Sequence, residues 1–299
     1  MPNDPRHISF SEVRQIVSNT PGERAVHPFV SEELIVVNDS SFVFRNALEM
    51  NVPYIIEDVR MLVVVEGEAD VTVNLIDRHI AKNMIVFMGY GTIMQPTHVS
   101  DDFRLRGFMM QKGLAERVLH NHLTAVHMED DRTQACVVEE SSTRLLAEMH
   151  SMLWRIVSEE GYREDVLVPT LMMFSNYFVS LMDGERQRSD TRVTHSNEVF
   201  KRFISLVNRH CTTEHALAFY ADKLCISAHH LGLLVKAESG VTAKEWIDRA
   251  IITQAKVLLK GSDLQAAEVA GRLSFANPSF FSKYFKRITG MTPQEYKQS

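Results

Sequence analysis

The 299-residue chain has only three cysteines, nine prolines and two tryptophans. Cys136, Cys211 and Cys225 are widely scattered and show no Cys-x-x-Cys spacing. That excludes a zinc ribbon and a disulfide-framed secreted scaffold, and it fits reduced thiols. No uninterrupted apolar run approaches the ~18–20 residues of a membrane span; the best local run, Leu62 to Val65, has the length of a strand. The first ten residues, MPNDPRHISF, lack a basic start followed by an apolar segment, so a signal peptide is not expected. These absences predict a cytoplasmic protein with no membrane partner.

Recognisable reaction chemistry is also scarce. Metal-dependent β-barrel enzymes need clustered histidines and a carboxylate on facing strands, and no His-x-His followed by Glu occurs in the strand-like segments. His98 stands alone. His120-Asn-His122 followed by His127 is the nearest cluster, in a helical or turn region after Gly113, where residues i and i+2 do not face together. Gly89-Tyr-Gly91 lacks the rest of a phosphate loop and reads as a turn. No nucleophile, base and carboxylate arrangement is present. No catalytic residue, cofactor or metal site is therefore predicted.

Charge is unevenly placed. Residues 1–194 carry 18 Lys+Arg and 29 Asp+Glu, a net of −11, whereas residues 195–299 carry 14 and 9, a net of +5. An acidic body joined to a smaller basic domain is the footprint expected of a protein that meets a polyanion through its C-terminal part.

That basic part repeats itself at an offset of 50. Ser227 pairs with Asn277, Leu231 with Phe281, Val235 with Phe285 and Lys236 with Lys286. Gly240 pairs with Gly290, Thr242 with Thr292, Glu245 with Glu295 and Trp246 with Tyr296. Upstream the register slips by one, so Ala221 and Leu224 match Ala270 and Leu273. Two copies of one helical unit explain the pattern. Ser227 and Asn277 suit helix N-caps, and Pro278 suits a first helical residue whose missing N–H costs nothing. Gly240 and Gly290 are placed to end those helices in a left-handed conformation. Thr242…Glu245, Thr292…Glu295 and Ser262…Gln265 read as capping boxes for the helices that follow. Front helices are expected over about Glu214–Lys223 and Leu264–Gly271. Each copy is then a helix-turn-helix. A helix over Thr242–Lys260 joins them, roughly 28 Å long, close to the ~34 Å of one DNA turn.

In the second copy, SFFSKYFKRITG, a helical wheel puts Phe281, Tyr284, Phe285 and Ile288 on one side. Ser279, Ser282, Lys283 and Lys286 lie opposite, flanked by Phe280 and Arg287. Short donors and cations without a carboxylate suit phosphates and base edges. In the first copy Leu231, Leu234 and Val235 face inward, and His229, Gly232, Leu233 and Lys236 face outward. Gly232 and Leu233 have no side-chain hydrogen bond to offer a base. Leu233 could touch a thymine methyl and Gly232 permits close backbone approach. Alternatively, this helix mainly positions the domain on phosphates while the second copy reads sequence.

At FYADKLCISAHHLGLLVKAESGVTAKEWI and VAGRLSFANPSFFSKYFKRITGMTPQEYK the chain resembles the AraC/XylS family of bacterial transcription regulators. The resemblance covers residues 195–299. It implies two helix-turn-helix units on adjacent major-groove segments of double-stranded DNA, with base contact at His229, Gly232 and Leu233 and at Ser279, Ser282 and Lys283. The chain departs from the family pattern at Ser274, where glycine is usual, at Val235 in place of Phe, and at Lys297 in place of Arg.

The N-terminal two thirds read differently. The segments ELIVVND, SFVFRN, RMLVVVEGE, DVTVNLI, NMIVFMGYG and RLRGFMM are strand-like, with turns at Asn38-Asp39-Ser40 and Glu66-Gly67-Glu68. They predict an antiparallel β-rich domain of barrel or jelly-roll type, similar to the cupin-like sensor domain many members of that family carry. From Glu139 the pattern is helical, with Leu145, Met149, Met152, Leu153 and Ile156 at helix spacing and an apolar helix over about Val166–Met182. This pair could pack on the β domain, form a homodimer interface, or both. Asp183–Ser196 is polar and aperiodic and reads as a linker.

The fold class predicted is α+β: an antiparallel β-rich, cupin/jelly-roll-like domain with a helical segment, then an all-α double helix-turn-helix domain. Its parts are 1–138 (sensor), 139–184 (helical dimerisation segment), 185–196 (linker) and 197–299 (DNA-binding). The function expected is a sequence-specific DNA-binding regulator, an activator by family habit, responsive to a small-molecule effector or a partner, with RNA polymerase as a further partner. Two other readings stay open: a protein-interaction regulator that binds DNA without sequence preference, and a cupin-type enzyme with a DNA-binding tail.

Overall fold

The structure is a computed structural model that describes residues 7–8, 10–18, 28–38, 48–120, 133–159, 163–190, 195–261 and 264–298. The chain divides near residue 191 into two compact units.

The first unit is a β-sandwich covered on one side by helices. Its strands are β1 (His7–Ile8), β2 (Phe29–Val30), β3 (Leu34–Val37), β4 (Tyr54–Ile56), β5 (Val59–Glu66), β6 (Glu68–Val73), β7 (Ile76–Ala81), β8 (Met84–Met88), β9 (Ile93–Val99), β10 (Arg104–Met110) and β11 (Thr133–Val137). One sheet has the order β1-β4-β9-β6-β7 and the other β11-β8-β5-β10-β3-β2. The double-sheet, antiparallel architecture is the one the sequence predicts. Alternation along β3 and β5 shows how the layers form. Ile35, Val37, Leu62 and Val64 face the other sheet. Leu34, Val36, Val59, Met61 and Val63 face the helices. Strands buried on both faces need unbroken apolar runs, which is why ELIVV and MLVVV do not alternate.

Six strands lie outside the strand-like segments or barely touch them: β1, β2, β4, β7, β9 and β11. β9 contains Pro96, which argues against a central strand. The structure accommodates it where the β6–β9 register shifts between Asp70 and Val71, with Pro96 opposite Val71. The Pro96 carbonyl still accepts from the Asn51 N–H at 2.7 Å. The turn at Gly67 is as expected, with φ +70°; a Cβ there would stand 2.6 Å from the Phe103 backbone. SFVFRN, Asp39 and Ser40 lie outside the described residues, as do His122 and His127.

Four helices belong to this unit: α1 (Phe10–Ser18), α2 (Lys112–Val118), α3 (Glu140–Ser158) and α4 (Glu164–Asp190). α2, α3 and α4 pack on the outer face of the second sheet, where Phe174 meets Phe108 edge-on at 5.0 Å. The inward face of α3 shares only part of the apolar stripe read from the sequence, Leu153 and the half-buried Met149. Leu146, His150, Leu153 and Val157 are buried, whereas Leu145 and Met152 are 39% and 43% exposed. Two stripes lie side by side on this helix, and the polar His150 hides the one that the sheet selects. α4 corrects the linker boundary. It continues to Asp190 and the next helix starts at His195, because Glu185, Arg186, Gln187 and Arg188 are good helix formers even without an apolar face. From Glu164 to Glu185, α4 is also long and apolar enough to cross a membrane by length and composition, with mean hydropathy 1.3. Leu167, Leu171, Phe174 and Phe178 of that stretch are core residues against the sheet.

The second unit is all helical: α5 (His195–His210), α6 (Leu217–Lys223), α7 (Ala228–Ser239), α8 (Ala243–Gly261), α9 (Ala266–Arg272), α10 (Pro278–Thr289) and α11 (Pro293–Gln298). α8 packs against each of the other six. Its Trp246, Ile247, Ala250, Ile251, Ala255 and Leu258 are buried. The front helices α6 and α9 are shorter at their starts than expected. α9 opens at Gln265, whose N–H donates to Glu268 Oε2 at 2.7 Å, and not at Ser262, which lies outside the described residues.

Candidate nucleic-acid interface

The two helix-turn-helix units are built by the same local bonds. In the turns, Ile226 N–H donates to the Ala221 carbonyl at 3.1 Å and Phe275 N–H to the Ala270 carbonyl at 2.9 Å. Between them Cys225 and Ser274 adopt φ +57° and +55°. Left-handed backbone at a non-glycine residue costs roughly 1–2 kcal/mol, so the glycine usual at the Ser274 position has a steric cause. Ser227 Oγ accepts from His230 N–H at 3.1 Å and Asn277 Oδ1 from Phe280 N–H at 2.8 Å. These caps start α7 and α10 at matching points. Gly240 and Gly290 end them with φ +71° and +83°.

The capping boxes that follow are both formed. Thr242 N–H donates to Glu245 at 2.9 Å and Thr292 N–H to Glu295 at 2.6 Å. Hydrogen bonds from Thr242 and Thr292 hold the two carboxyls below the ordinary glutamate range, helped by the charges of Arg249 and then Lys236 in the first box and of Lys286 in the second. A further matched pair is evident only in three dimensions. Ser239 and Thr289 hydroxyls donate back to the carbonyls of Val235 and Phe285, at 2.7 and 2.8 Å.

The buried sides of the two helices are Leu231 and Val235, and Phe281, Tyr284 and Phe285. Leu234 is half-buried, and Ile288, expected inward, is 37% exposed at the last turn of α10. Of the residues singled out in the sequence, His229, Leu233 and Lys236 on α7 are exposed, as are Ser279, Lys283 and Lys286 on α10. Gly232 and Ser282 are half-exposed. Leu233 is 56% exposed, and a Cβ at Gly232 would meet nothing within 4 Å.

Arg287 behaves differently from its neighbours. Its guanidinium lies 3.6 Å from Asp248 and 5.4 Å from the centre of the Tyr284 ring. Asp248 also accepts from the Tyr284 hydroxyl at 2.7 Å and pairs with Lys244 at 2.6 Å. Burial and the Asp248 bond push the Tyr284 phenol well above its ordinary range, so it stays a donor. Asp248 thus ties α10 to α8 and draws Arg287 toward the scaffold. No sequence signal marked Asp248, because its partners Tyr284 and Arg287 are far away in the chain. Phe280, 58% exposed beside the Ser279 position, is a second feature of this face.

The family described as "Helix-turn-helix domain" matches residues 220–299, which span both units. The arabinose operon regulatory protein of Escherichia coli is 31% identical over 81 residues. Residues 220–299 form a helix-turn-helix domain similar to those of AraC-type regulators. The transcriptional activator RhaR of Yersinia pestis is 29% identical over 82 residues. Each match takes in 27% of this chain and 28% of the relative, so the similarity spans less than a third of either regulator. The unsaturated-fatty-acid-bound structure of ToxT from Vibrio cholerae covers 89% of this chain and 95% of its own, at 17% identity and a TM-score of 0.38. In the AraC-type unit, the exposed faces of α7 and α10 are the two surfaces available to adjacent stretches of a groove.

Proposed function

We propose that the protein is a sequence-specific DNA-binding transcription regulator, acting in the cytoplasm as an activator. The observation that carries this is the exposed face of α10. Ser279, Lys283 and Lys286 stand outward on a helix whose start, turn and inward side are all set by local bonds. Ser279, Ser282 and Lys283 read base edges, Lys286 holds phosphates, and His229, Gly232, Leu233 and Lys236 approach the neighbouring groove segment. Arg287 contributes charge from the rim, held by Asp248. The N-terminal unit senses a small molecule. α3 and α4 join two copies through Leu145, Met152, Val166 and Met173, which are large, apolar and exposed. RNA polymerase is the partner that an activator of this kind requires.

The test is selection of DNA fragments by the full-length protein at near-physiological salt, repeated with Lys283→Ala. The expected result is a motif of two segments about one helical turn apart, of which the variant loses one. A second reading has its own observation. The α7 face offers Gly232 and Leu233 where donors would serve, which favours a protein that holds DNA without sequence preference. Enrichment of no motif, with binding that only declines as salt rises, supports that second reading and sinks the first.

A further inference from the structure

A pocket of about 270 Å³ opens between the second sheet and α3, near the small end of the ~300–1,000 Å³ usual for ligand pockets. It lies outside the sandwich, not between its sheets. Val63, Leu146 and Phe174 supply an apolar wall. Lys82, Arg106 and Arg144 bring three cations against one carboxylate, Glu140, and that carboxylate is 3.5 Å from Arg144. Arg106 is half-buried on β10. Its Nε donates to the Asn38 carbonyl at 3.3 Å, and no carboxylate of the described residues pairs with it. His150 completes the lining. It is 2% exposed, and its Nε2 has no hydrogen-bond partner. A buried polar atom left without a partner is destabilising until something hydrogen-bonds it, so a ligand that does so is favoured there.

We propose that this pocket binds a small organic carboxylate, its charge held by Arg106 and the Nε2 of His150 and its apolar body laid against Val63, Leu146 and Phe174. A guanidinium takes a carboxylate through two parallel N–H bonds, and Nε2 of His150 donates a third where the neutral ring carries its one proton on that nitrogen. Three cations repel an amine ligand, and the apolar wall disfavours a bare inorganic anion. The proposal deepens the sensing role given above to the N-terminal unit and rests on that reading. α3 forms one wall of the pocket and carries Leu145 and Met152 on its outer side. A ligand that prefers one position of α3 therefore shifts the surface through which copies join.

The experiment is isothermal titration of the full-length protein at pH 7 with hexanoate and benzoate, and with hexanamide and benzamide as uncharged counterparts. At least one carboxylate is expected to bind with Kd below about 1 mM and its amide at least about tenfold more weakly. Arg106→Gln should weaken the carboxylate about tenfold or more, Arg106→Lys should keep part of the affinity, and Ala147→Leu should block the pocket. Thermal melts of the unliganded variants confirm that each is folded. Absence of binding by both carboxylates, equal binding of acid and amide, or binding unchanged in Arg106→Gln and Ala147→Leu overturns the proposal. DNA selection without added carboxylate reports separately on the regulator reading. Motif enrichment without carboxylate binding sinks the pocket alone, and carboxylate binding without motif enrichment sinks the regulator reading alone.

Discussion

Gly232 sits mid-helix in α7 with open space where a Cβ would stand. Glycine there costs the helix about 1 kcal/mol relative to alanine, and nothing inside the unit requires it. The close approach of the α7 backbone to DNA proposed above would require it. Gly232→Ala is therefore expected to raise unfolding stability by about 1 kcal/mol while weakening DNA binding. Chemical denaturation and a binding titration on the same variant check this. Stability raised with affinity unchanged would remove α7 from the reading surface. Cys225 and Ser274 pose the opposite case, left-handed residues that carry a Cβ. Ser274 was legible as unusual from the family resemblance, and the repeat aligns Cys225 with it; that both are left-handed only the three-dimensional turn shows.

At the scale of the element, α7 and α10 were legible almost to their ends. Their caps, stop glycines and following capping boxes act over three or four residues, and the sequence writes such bonds out in order. α3 was legible as a helix but not in orientation. Its sheet-facing side has His150 at the centre, and the apolar stripe one residue over, with Leu145 and Met152, is the more hydrophobic on paper. The buried histidine has a measurable consequence. Burial, and then the nearby Arg106 charge, push its pKa down to about 4, against the carbonyls of Gly107 and Val37 that favour the proton. The unfolded chain takes up that proton near the ordinary value of 6.5. Between these pH values the unfolded state holds more protons, so His150 leaves stability intact above about 6.5 and lowers it as pH falls toward about 4. The loss amounts to up to about 3 kcal/mol. His150→Leu should flatten this slope between pH 6.5 and 4.5 in urea melts of the N-terminal unit's transition. An unchanged slope would show that His150 already holds its proton.

For the whole molecule, the acidic first unit and basic second unit were visible as a charge count, and the repeat announced the second unit outright. Assembly was visible only as an apolar helical segment with two possible uses. The structure spends one side of α3 and α4 on the sheet and leaves Leu145, Met152, Val166 and Met173 outside. If copies join through α3 and α4 as proposed, the wild type is expected to sediment as a dimer and the double variant Leu145→Glu, Met152→Glu as a monomer under the same conditions. Both sites are exposed, so stability should move by no more than about 0.5 kcal/mol each. A variant that still sediments as a dimer would place the interface elsewhere.

The sequence by itself determined the double helix-turn-helix, its caps and turns, the outward residues of α10 and the β-rich character of the first unit. Each rests on contacts within a few residues or on a period that burial imposes. Tertiary structure decided which stripe of α3 faces the sheet, that Pro96 lies inside a strand, that Arg287 turns toward Asp248, and that Arg106 and His150 line one pocket. Those outcomes depend on residues far apart in the chain, such as Tyr284 and Asp248, 36 positions apart. Contacts of that range leave no spacing to read until the backbone has folded.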